Sequence, residues 1–178
     1  MKSKKFLAIA GILSLAIMSL SLAAIGATSA DVTATVTPGI VSVSVSDGGV
    51  AYGTVLLNTN RTTALGDGDS IDDTQTATNS GTVSVNLGVR SSDASGATPW
   101  NLATDPGADA FYHGFCTTTC DSSPAWNAFN VDNTTYSSLA AGVAASGSQA
   151  FDLKITTPTS STDSGAHTIT VTVQATAI

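Results

Sequence analysis

The chain has 178 residues, of which only 11% are charged, with 13 acidic against 6 basic side chains and a formal net charge of −7. Three of the basic residues, Lys2, Lys4 and Lys5, precede an uncharged apolar run from Phe6 to Ile25. Beyond that run, Arg61, Arg90 and Lys154 stand against thirteen aspartates and no glutamate, a formal charge of about −10. So acidic a chain excludes a nucleic-acid binder, which must neutralise phosphates, and makes cations the expected small partners.

A basic start, an apolar stretch and the small residues Ala27-Thr28-Ser29-Ala30 predict a secretory signal over residues 1–30, cut after Ala30. The stretch is also long enough to cross a bilayer, so an uncleaved anchor is the competing expectation and the only one that involves a membrane. No Cys precedes Cys116, which excludes a lipoprotein anchor, and no Gly separates the basic start from the apolar run, which argues against type IV pilin processing. Residues 31–178 have the size of one extracellular domain, placed outside the cell or on its surface.

Period-2 alternation dominates that domain. Val32-Thr33-Ala34-Thr35-Val36 alternates, as do Val41, Val43 and Val45 with intervening serines. Pro38-Gly39, Asp47-Gly48-Gly49 and Asn79-Ser80-Gly81 are turn signals between runs. Shorter strands are expected over residues 50–57, 74–78, 100–103, 109–116 and 125–131. Longer runs are centred on Val83, Val85, Leu87 and Val89, on Phe151, Leu153 and Ile155, and on Ile169, Val171, Val173, Ala175 and Ala177. Tyr136, Leu139, Ala140 and Val143 have helical spacing and predict a short helix or turn. Eight to ten short strands, divided at regular spacing, predict an all-β fold: a single antiparallel β-sandwich, jelly-roll or immunoglobulin-like.

Three segments are candidates for function. Cys116 and Cys120 in an exported chain predict a disulfide at a hairpin tip; the alternative joins them to His113 as a partial metal set lacking a fourth ligand. Asp67, Asp69, Asp72 and Asp73 lie on a Gly-bearing loop, where carboxylates converge on Ca²⁺ or simply form a solvated acidic loop. Calcium is thus the sole candidate cofactor. Seven of the nine aromatics beyond the signal fall between Trp100 and Tyr136. Trp100, Tyr112 and Trp126 would stack on sugars if exposed, and the competing role is packing in the core. No Gly-x-Ser-x-Gly elbow, phosphate loop or His-Glu-x-x-His is present, and the only histidines are His113 and His167. A non-enzyme is expected. Asp152, out of phase with Phe151 and Leu153, is expected to face solvent.

Val50-Ala51-Tyr52-Gly53-Thr54-Val55, Thr76-Ala77-Thr78-Asn79-Ser80-Gly81-Thr82-Val83, Phe151-Asp152-Leu153 and the closing Thr-Val-Thr-Val strand follow the Lys-rich start in a particular order. In that order the chain resembles the camelysin and biofilm-matrix fibre subunits of bacteria and the related archaeal bundling pilins. The resemblance implies a jelly roll whose protomers join when an N-terminal strand adds to a neighbour. It carries over no catalytic residue.

Val32, Ala34 and Val36 are the candidate assembly strand; their alternative is pairing within their own sheet. The expected function is therefore a structural fibre or matrix subunit that self-associates or joins other surface proteins. The alternative is a carbohydrate- or calcium-binding adhesion module.

Overall fold

A computed structural model describes residues 30–46, 48–66, 68 and 71–178. The chain divides into two units, Met1–Val36 and Thr37–Ile178. Of the first, residues 30–36 are described; they carry no strand, and their side chains are exposed. The rest of the expected signal over residues 1–30 lies outside the described residues.

The second unit is all-β, with no helix among the described residues. Its strands are β1 (Val43–Val45), β2 (Asn60–Thr62), β3 (Gln75–Asn79), β4 (Val85–Ser91), β5 (Asn101–Ala103), β6 (Ala110–Cys116), β7 (Asn127–Ala128), β8 (Ser137–Val143), β9 (Ser148–Thr156) and β10 (Val171–Ala177). One sheet has seven strands, in the order β1-β3-β9-β6-β5, with β2 also pairing β9 and β7 also pairing β6. The other has three, β10-β4-β8. Together they make a two-sheet, sandwich-like body.

Alternation decides which side chains lie between the sheets. Val85, Leu87 and Val89 of β4 point inward, against Phe111 and Phe115 of β6 and Phe151, Leu153 and Ile155 of β9, all buried. Burying side chains of this size contributes roughly 1.5–3 kcal/mol each. Asn79 closes one end of the core. Its Nδ2 donates to the carbonyls of Val83 (2.8 Å) and Val143 (3.0 Å), and its Oδ1 accepts from Gly81 N. Gly81 is required there, because a Cβ would stand 2.2 Å from the Ile40 carbonyl oxygen.

Several expectations are corrected. Residues 32–36 and the expected strand over residues 50–57 form no strand, and β1 covers only Val43–Val45. Tyr136 to Val143 is not helical but supplies β8. Its pairing with β4 shifts register between Val85 and Gly88. That irregularity, with Gly142 at φ 64, breaks the period of 2 and gives the run its helical spacing. The pairing is not wholly antiparallel, since β5 runs parallel to β6. β5 has only three residues, so the loop back to β6 must retrace only about 10 Å rather than a whole crossover. Asp152 is buried, at 4% exposure. Its Oδ1 accepts from the hydroxyls of Thr63 (2.9 Å) and Thr74 (2.8 Å), which cover that face of β9.

Candidate functional site

A groove of about 670 Å³ opens in the second unit. Phe151, Leu153 and Ile155 of β9 contribute to its lining from one sheet, and Val171 and Val173 of β10 from the other. Val45 of β1 and residues 48–55 complete much of its wall. The groove forms here because β1 and β10 are the end strands of their sheets. β10 is bonded to β4 over all seven of its residues, Val171↔Ser91 to Ala177↔Val85, and among the described residues no strand pairs with its other edge. An edge this long is normally blunted by Lys, Pro or a bulge. Val-Thr-Val-Gln-Ala-Thr-Ala has no charge and no proline.

His113 is the one imidazole in the groove's core-facing lining, and it is 1% exposed. Its Nδ1 lies 2.7 Å from Ser91 Oγ and its Nε2 3.2 Å from Tyr52 OH. Phe129 packs on it with ring centroids 5.0 Å apart. Burial drives its pKa down to about 3, so the ring is neutral at physiological pH. A neutral ring with one N–H and one lone pair suits two hydroxyls, which both donate and accept. The set is satisfied by its own partners, and Ser91, also 1% exposed, cannot reach a substrate as a nucleophile.

At one end of the groove His167 stacks on Trp100, with centroids 3.8 Å apart and planes 20° from parallel. Trp100 Nε1 donates to Ser161 Oγ at 3.1 Å, and His167 contacts the carbonyls of Gly165 and Thr98, each at 3.0 Å. Asp163 accepts from Thr98 N and Gly165 N, which hold its carboxyl below the usual range. This end is rigid, and one face of Trp100 is already covered.

The three candidate sugar-stacking residues do not converge. Trp100 lines the groove, whereas Trp126 lines a separate cleft of about 230 Å³ with Asn60, Thr62, Pro124 and Lys154. The Lys154 ammonium lies 5.9 Å from the Trp126 ring centroid. Tyr112 lies half-buried on the outer face of β6 beside Gly114, and burial raises its pKa.

Cys116 and Cys120 form the expected disulfide. The hairpin is also as expected, with β6 and β7 pairing antiparallel through Gly114↔Ala128 and Phe115↔Asn127. The alternative with His113 as a metal ligand is ruled out, since both sulfurs are bonded to each other and the ring is taken by Ser91 and Tyr52. Of the acidic loop, Asp67 and Asp69 lie outside the described residues. Asp72 is exposed, and the Asp73 carboxylate accepts from Gln75 Nε2 at 2.8 Å. Among the described residues no group of three or more His, Cys, Asp or Glu side chains is placed to hold a metal. Val32, Ala34 and Val36 lie in the first unit, in no strand.

The groove itself escaped the sequence reading, because it joins segments more than a hundred residues apart. The available signal was the uncharged, proline-free run at Val171–Ala177, which on any edge invites pairing. Comparison with family models, with curated proteins and with solved structures finds no match for this chain.

Proposed function

We propose that this chain is a secreted or cell-surface structural protein, a fibre or matrix subunit, whose copies join by β-strand addition. In this proposal Asp31–Thr37 of one copy pairs with the free edge of β10 in the next and places Val32, Ala34 and Val36 in the groove. The observation that carries it is the uncharged, proline-free seven-residue edge of β10 beside a groove to which Phe151, Leu153, Val171 and Val173 contribute. Asp31–Thr37 also has seven residues, alternates apolar and Thr side chains, and belongs to neither sheet. Backbone hydrogen bonds would supply affinity, and the alternate side chains would supply register. The sandwich would be of jelly-roll type, and the groove acts as a receptor rather than a reaction centre.

The double variant Val32→Asp/Val36→Asp tests this without touching the core of the second unit. Light scattering should find large assemblies of the natural sequence and single copies of the variant. Equal assembly by both would refute strand addition through this segment.

A second reading is supported by the Trp126 cleft, where an indole, an ammonium, an amide and a hydroxyl border one small hollow. Such a set suits one sugar ring of an adhesion ligand. Calorimetry with neutral and acidic oligosaccharides, on the natural protein and on Trp126→Ala, decides it: heat that disappears in the variant supports a sugar site, and no heat from any sugar removes it.

A further inference from the structure

The outer face of β9 carries a feature separate from the groove. Lys154 alternates with Leu153 and Ile155, which are buried in the core, so its side chain emerges on the opposite face. It stands in register between Thr62 of β2 and Gly114 of β6. The residue is half-buried, and its ammonium lies over the Trp126 ring, 5.9 Å from the centroid. Carboxylates are plentiful in this chain, thirteen against three basic side chains over residues 31–178. Yet among the described residues Lys154 forms no ion pair. Asp152, two residues earlier on the same face, accepts with its Oδ1 from the hydroxyls of Thr63 and Thr74. Asp121, on the loop that leads to Trp126, accepts with its Oδ1 from Leu65 N at 2.8 Å. An ammonium partly withdrawn from water and left without an ion pair is one that an anionic ligand stabilises.

The wall that carries Trp126 is held in place. Cys120 is bonded to Cys116 at the end of β6, and the Thr119 carbonyl accepts from Ser122 N (3.1 Å) and Ser123 N (2.9 Å). Pro124 and Trp126 follow within a few residues, so a short, tied loop presents the indole. Such pre-setting lowers the ordering cost of binding. The hollow measures about 230 Å³, below the roughly 300–1,000 Å³ of a pocket for a drug-sized molecule, and so has room for one ring. An indole face takes the C–H face of a pyranose, and the exposed Asn60 amide at the border can pair with sugar hydroxyls. We infer that this cleft selects an acidic sugar: Trp126 stacks on the pyranose ring of a uronic acid, and Lys154 pairs with its carboxylate. The inference rests on the sugar-site reading and names its ligand. Charge supplies the selection. A neutral sugar would cover the ammonium without giving it an anion, whereas a carboxylate replaces the lost water with a charge-assisted hydrogen bond.

Titration followed by protein NMR tests this on the purified chain, with methyl glucuronoside and methyl galacturonoside, their neutral counterparts methyl glucoside and methyl galactoside, and acetate. The expected result is that at least one acid shifts the Trp126 indole N–H signal and binds about tenfold more tightly than its neutral counterpart, the worth of one charge-assisted hydrogen bond. Lys154→Met, which keeps the stem, should bring that acid down to the neutral level, and Lys154→Arg should keep the preference. Equal binding of acid and neutral sugars would overturn the inference while leaving a sugar site standing, as would an acid preference that survives in Lys154→Met. Acetate shifting the same signal as strongly as the acids would mean an anion site without ring recognition, and that too would overturn it. No response to any of the sugars would overturn both readings. The acid is compared with the neutral sugar on the natural protein, so the comparison decides the matter even where Lys154→Met fails to fold.

Discussion

His113 sits between two hydroxyls, Ser91 Oγ and Tyr52 OH, and links β4 to β6 across the core. Its neutral form is the one the fold accommodates, and its pKa falls to about 3 because burial penalises the charge. In the unfolded chain it titrates near the ordinary value of 6.5. Between those values the unfolded state binds more protons, so stability present above pH 6.5 is lost as the pH falls toward 3. Urea unfolding at about pH 7 and about pH 4.5 should show the natural protein losing about 2 kcal/mol more than His113→Gln over that interval. An equal loss in both would show that the ring does not govern the acid response.

Asp152 is a charged residue that the fold encloses, although its alternation phase pointed to solvent. What hides it is a loop the phase cannot foresee, which brings Thr63 and Thr74 over the outer face of β9. Asp152→Ala would take an acceptor from the buried Thr63 hydroxyl and should cost about 1–3 kcal/mol in urea unfolding, with Asp152→Asn costing less because an acceptor oxygen remains. A cost within about 0.5 kcal/mol, typical of exposed sites, would contradict this account of the cover.

At the scale of elements, what was legible in the sequence was whatever a period of 2 and a turn residue could fix locally. β4, β6, β9 and β10 lie where Val, Leu, Ile and Phe alternate, and the Asn79–Gly81 turn lies where a turn signal stands. Gly81 shows how tightly that turn is specified. Gly81→Ala would drive a Cβ into the Ile40 carbonyl, and thermal or urea unfolding should register a loss of about 1–3 kcal/mol. An unchanged midpoint would mean the chain before β1 gives way at no cost.

Alternation failed where it lacked a partner or was interrupted. Residues 50–57 place Val50 and Tyr52 against the core, yet the segment belongs to neither sheet. In β8 a register shift disguised a strand as a helical turn. The short β2 strand, Asn60-Arg61-Thr62, has no apolar run at all and exists because β9 offers it an edge. The disulfide was legible, since the chain's only two cysteines lie four residues apart behind an expected export signal. The groove was not, because β1, residues 48–55, β9 and β10 come together only in three dimensions.

Across the whole molecule, two sheets of unequal size leave one open seam, where the seven-stranded sheet ends in β1 and the three-stranded sheet ends in β10. The larger sheet protects its edge by brevity, since β1 has three residues. β10 has no such protection, and the net charge of about −10 over residues 31–178 favours dispersal elsewhere. In the proposed assembly, self-association runs through that edge, where backbone bonds outweigh like-charge repulsion, whereas β8 at the other end of the smaller sheet is interrupted by its register shifts and by Gly142. The most direct test is light scattering with thermal unfolding on two chains, one beginning at Asp31 and one at Pro38. The account predicts large assemblies from the first, and single copies with an unchanged melting midpoint from the second. Single copies from both would contradict it, as would a second chain that fails to fold, because the segment would then belong to its own sheet.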